Sequence, residues 1–167
     1  MSRSLERKST TLLVIGVGNL YRSDDGAGIT VVRRLKERGI SGIEFTEHRG
    51  EGTDLIEVMK GYRSVFLVDA VQSGSSPGEI IRIEAHREPL PAQFSAGSTH
   101  SFGVAEAIEM ARILGELPQR LIVFGLQGLD FSVGANLSVE IEQAIPVLVE
   151  KIYRELKLFK TEGESAL

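Results

Sequence analysis

Two adjacent acids interrupt a glycine-rich turn. In "GVGNLYRSDDGAG", residues 16–28, Asp24 and Asp25 stand where a nucleotide-binding turn would receive phosphate. A third acid, Asp69, ends the apolar run "VFLVDA", and His100 sits in "STHSFG" before a helical pattern. Two carboxylates and one imidazole suit a borderline divalent ion such as nickel or zinc. Three protein ligands leave a position for a substrate oxygen or water. A carboxylate of the set is equally a candidate general base. Each residue also has a plainer reading. Ser23, Asp24 and Asp25 suit the start of a helix, Asp69 an Asx turn, and His100 a surface position beside a capping Thr99 or Ser101. His48 follows a strand pattern and rivals His100 as a ligand, and His86 follows another.

The turn matches poorly with nucleotide binding. Gly16 and Gly18 fit G-x-G-x-x-G, but Tyr21 occupies the third glycine position, and no G-K-[ST] follows. Two carboxylates beside a pyrophosphate would also repel it. Asn19, with Gly26 and Gly28 at a helix start, points instead to a turn built for close backbone approach.

The elements that must position these residues read as alternating strands and helices. Apolar or alternating runs predict strands at 11–17, 42–48, 64–71, 79–85 and 120–126. Helical spacing predicts helices over 24–38, from Thr53, around Val104, Ile108 and Ala111, and from a capping Ser138 through Ile152. Pro146 is expected to kink the last helix or mark its restart. Such alternation predicts a single three-layer α/β domain over 11–157, a twisted, mainly parallel sheet of about five strands with helices on both faces. Residues 1–10 and 158–167 read as loose tails. In open α/β sheets ligands bind beyond the carboxyl ends of the strands, where Asp25 and Asp69 would both lie.

The bulk properties exclude several classes. The 167 residues suit one domain, and a net charge of −4 gives no nucleic-acid footprint. The chain has no cysteine, which removes disulfides, thiolate metal sites and cysteine nucleophiles and suits a cytoplasmic protein. No apolar run approaches the roughly 18 residues of a membrane span.

These motifs resemble the hydrogenase maturation endopeptidases, whose N-terminal pattern G-x-G-N-x-x-x-x-D-[DE]-G-x-G is matched throughout residues 16–28. The acid in "LVDAV" and the histidine in "STHSFG" follow in the same order, and the resemblance extends over about residues 12–155. It implies a protease that removes a C-terminal extension from the large-subunit precursor of nickel–iron hydrogenase after nickel insertion. It maps nickel contacts onto Asp25, Asp69 and His100, with Gly16, Gly18, Asn19 and Gly26 as the supporting turn. Nickel would come with the substrate, with no tightly bound resident metal. A non-catalytic sensor or chaperone of the loaded precursor would use the same crevice. The loop after strand two departs from the family's D-G-G-T: it reads "EHRGEGT", with Glu47 at the aspartate position and His48 and Arg49 replacing glycines. This form resembles the subgroup serving bidirectional, NAD-linked hydrogenases.

Overall fold

β-branched and aliphatic runs form the centre of the molecule. The computed structural model describes residues 12–94 and 102–165. Its five strands are β1 (Leu12–Val17), β2 (Ile43–His48), β3 (Ser64–Val71), β4 (Ile80–Glu84) and β5 (Arg120–Gln127). They form one sheet in the order β2-β1-β3-β5-β4. β1, β2, β3 and β5 are parallel, and only β4 runs antiparallel, against β5. Every residue of β1 is buried, as a continuous apolar strand covered on both faces must be.

Alternation along the strands divides the core into two layers. Leu13, Ile15, Leu67 and Val123 pack against α2 (Gly52–Met59) and α3 (Val104–Ile113). Val14, Phe66, Val68 and Phe124 pack against α1 (Ala27–Glu37) and α4 (Val139–Ser165). Each helix covers its layer with a stripe at helical spacing, as Val31, Val32 and Leu35 do on α1. No helix among the described residues is long and apolar enough to cross a membrane.

Three local features differ from the sequence pattern. Residues 23–26 form a 3-10 turn, so α1 begins at Ala27 rather than at position 24. α2 begins at Gly52, one residue before the Thr53 start that the spacing suggests, with Glu51 at its N-cap. α4 runs without a break through Pro146 and on to Ser165, past the expected end of the domain at 157. Apolar contact carries it onward: Phe159 packs against its layer, with its ring centroid 6.5 Å from that of Phe66.

Candidate functional site

Parallel pairing brings the ends of β1, β2 and β3 to one level. Gly16 pairs with Val68, so Asp69 stands one residue further along β3, opposite the end of β1. Val17 pairs with His48, the last residue of β2. On β5 the partner of Asp69 is Gly125, whose missing side chain leaves room for the ring of Phe94.

The turn after β1 folds back on itself to deliver Asp25 to this level. Gly18 has φ +148°, and a Cβ there would lie 1.9 Å from the carbonyl oxygen of Asp25. Only glycine permits that approach. The Gly18 N–H donates to the carbonyl of His48 (3.0 Å) and the Asn19 N–H to that of Asp25 (3.3 Å). The Asn19 side chain accepts from the Tyr21 N–H (2.9 Å). Gly26 closes the turn against Leu20, and Gly16 lies under the first turn of α1 beside Val32. A Cβ on Gly28 would stand 2.4 Å from the carbonyl oxygens of both Val17 and Val68, so this glycine lets α1 start directly on two strands.

The two adjacent acids have different environments. Asp24 is fully buried and accepts from the N–H groups of Leu129 (2.8 Å), Asp130 (2.8 Å) and Ser138 (2.7 Å) and from the Ser138 hydroxyl (2.7 Å). Burial alone would raise its pKa; the hydrogen bonds from Asp130, Ser138 and Leu129 outweigh it and hold the carboxyl below its ordinary value. Neither N-cap residue, Arg22 or Gly26, makes a side-chain cap bond, and the Asp24 carboxylate is spent on residues 129–138 rather than on a helix start. Ser138 directs its hydroxyl to Asp24, while its carbonyl accepts from Ile141 and Glu142 at the start of α4. Asp24 thus fastens the β5–α4 loop to the turn that carries Asp25. Ser23, at φ +51°, completes the joint: its N–H donates to Gly134 (2.8 Å) and its hydroxyl to Ser132 (2.8 Å).

Asp25 and Asp69 form the chemically distinctive pair. Both are half-buried, with the Asp69 carboxyl itself turned away from water, and both lie at the carboxyl edge of the sheet. The Asp69 carboxyl is held well above the usual carboxylate range, first by burial and then by the nearby charge of Asp25, against the opposing hydrogen bond of Ala70. A cation between them would relieve that repulsion. Among the described residues, no three His, Asp or Glu side chains gather into a complete metal shell.

The described histidines are engaged elsewhere. His48 is buried, and its Nδ1 accepts from the Gly50 N–H (2.8 Å). Its Nε2 therefore carries the proton, donated to Asp54 (2.9 Å), and neither nitrogen is left for a metal. His86 shares its Nδ1 with the backbone of Leu121 near the start of β5, at the opposite end of the sheet. Glu47 is paired twice with Arg33 of α1 (2.5 and 3.0 Å), and this pairing lowers its pKa. His100 lies outside the described residues.

Fold and site together define a three-layer α/β domain with an acidic crevice at the ends of its parallel strands. The chain belongs to the hydrogenase maturation protease family, whose model matches residues 29–155, and it is an endopeptidase. That match includes Asp69 and begins just past the glycine-rich turn, leaving Asp25 to the geometry above. It is 29% identical to the hydrogenase 2 maturation protease of Escherichia coli, over 86% of this chain and 96% of the relative. It is 27% identical to the hydrogenase expression/formation protein HupD of Thiocapsa roseopersicina, over 92% of this chain and 71% of the relative. The fold is shared with the hydrogenase maturating endopeptidase HybD of E. coli: TM-score 0.75, 24% identity, 87% of this chain and 91% of the other. The [NiFe] hydrogenase maturation protease HycI of Thermococcus kodakarensis gives 0.67 at 25% identity, over 90% and 94%.

Proposed function

We propose that this endopeptidase processes the large-subunit precursor of a nickel–iron hydrogenase, removing its C-terminal extension once nickel is in place. The observation that carries this is the Asp25–Asp69 pair: strand register and the folded-back Gly18 turn bring two carboxylates to the same edge of the sheet, where burial and the charge of Asp25 both oppose ionisation of Asp69. Such a pair is poised for a cation. A dication arriving with the precursor favours the ionised form of both carboxyls, and two anionic oxygens then contact the ion. Nickel is thus part of the substrate, and a ligand set without thiolate suits modest affinity for free metal.

His100 is our third contact. Of the three histidines in the chain, His48 has both ring nitrogens engaged and His86 lies at the opposite end of the sheet, which favours His100. The residues flanking 95–101 support this reading. Phe94 packs on Gly125 beside Asp69, and Phe102 packs on Gly52, whose N–H donates to the Phe102 carbonyl (3.0 Å). The precursor's ion, fixed by these side chains, holds the scissile peptide at the crevice, and a carboxylate takes a proton from the attacking water. We place this processing in the cytoplasm, in keeping with a chain free of cysteine.

The test is intact-mass analysis of nickel-loaded and nickel-free precursor after incubation with the purified protein. Loss of a C-terminal peptide from the loaded form alone is expected. Equal cutting of both forms would remove nickel from the reading, and cutting of neither would overturn it. His100→Ala is expected to lose processing with its melting temperature kept.

A further inference from the structure

Tyr21, Leu129, Val133 and Val139 turn large apolar side chains to solvent, with exposures of 76%, 56%, 89% and 63%. Single exposed apolar residues need no explanation, but a cluster beside a reaction site does. These four belong to one hydrogen-bonded unit. The Tyr21 carbonyl accepts from the Gly134 N–H (2.9 Å), next to Val133. Asp24 accepts from the Leu129 N–H and from Ser138, the residue before Val139. Arg22 bridges to Gly134 and donates to the Phe131 carbonyl (3.2 Å). The same unit carries Asp25, four residues after Tyr21.

We propose that this apolar platform docks the folded precursor, through an apolar protein surface beside the peptide to be cut; this rests on the function proposed above. Continuity argues for that occupant. The platform and Asp25 share one turn, so a protein whose peptide reaches Asp25 lies against Tyr21 and the β5–α4 loop. Rigidity argues for it too. Both loops are fastened through their backbones and through the buried Asp24, so docking orders little that is not already ordered. Tyr21 has the chemistry of an interface anchor, a large apolar ring with a polar tip. Tyr21, Leu129 and Val133 bring no group to the carboxylate pair, so their contribution is to binding rather than to the cut.

The experiment compares wild type with a Tyr21→Ser/Leu129→Ser/Val133→Ser variant in steady-state processing of the nickel-loaded precursor. Binding of that precursor to Asp25→Asn protein, with and without the three changes, is measured in parallel. The expected result is a KM raised about tenfold or more with kcat within about twofold, and binding weakened by a similar factor. Unchanged KM and binding, while wild type cuts normally, would overturn the platform. Loss of a wild-type dimer in the triple variant, with KM unchanged, would assign the patch to a second copy and overturn it as well. If wild type cuts neither precursor form, the processing reading fails. Binding that is still lost with the three changes would then support the platform by itself.

Discussion

Asp24 accepts four hydrogen bonds and Asp69 faces another carboxylate, so the two respond to pH in opposite senses. The pKa of Asp24 is lowered on folding. Its stabilising contribution is present above the ordinary carboxylate pKa and is lost as pH falls through the folded value. Asp24→Ala leaves three N–H groups and a hydroxyl without their acceptor, at an expected cost of about 3 kcal/mol or more at pH 7. Denaturant midpoints measured down the pH scale should show that gap narrowing. The pKa of Asp69 is raised, so the folded state holds its proton more tightly than the unfolded state does. Between the ordinary value and the raised one, stability falls as pH rises. Asp69→Asn is therefore expected to melt higher than wild type at pH 7, with the two curves meeting below about pH 4. The same variant should lose at least about 100-fold in processing rate. Stability gained together with activity lost is what a functional carboxylate predicts; a structural one would lose both.

At the scale of elements, close approach decides which changes are tolerated. Gly28→Ala forces a methyl group into the carbonyl oxygens of two buried strands, neither of which can yield like a side-chain tip. A loss of about 3 kcal/mol or more is expected, checked by thermal melting. The strands were readable because apolar runs such as residues 12–17 and 64–68 demand burial on both faces. The start of α1 was misread because Asp24 looks like a cap. Its partners lie at positions 129–138, a distance over which local spacing carries no signal. Both acids of the pair are legible from their places in the pattern, Asp69 near the end of a buried strand and Asp25 in the turn that follows another. The engagement of both His48 nitrogens is not legible there, because its bonds to Gly50 and Asp54 emerge only from the geometry.

Across the whole molecule, α4 joins the two ends of the sheet. It begins beside the Asp24 joint and finishes where Phe159 lines a groove with Leu12 and Ile43, at the starting ends of β1 and β2. A chain ending after residue 157 loses the Phe159 contacts with Phe66 and Arg120. A loss of about 1–2 kcal/mol in thermal stability is expected, with processing retained below the new melting temperature. The tail was misjudged from sequence because its charged residues hide a single aromatic anchor among them.

The joint between Asp24 and Ser138 spans 114 positions of chain. Closing so long a stretch of chain has an entropic cost that the packed sheet and helices must offset. Two of the four donors that hold Asp24 come from Ser138, so the turn bearing Asp25 is fastened by a residue at the start of the last helix. The crevice at the head of the sheet is therefore held in part from the far end of the chain, through a single buried carboxylate.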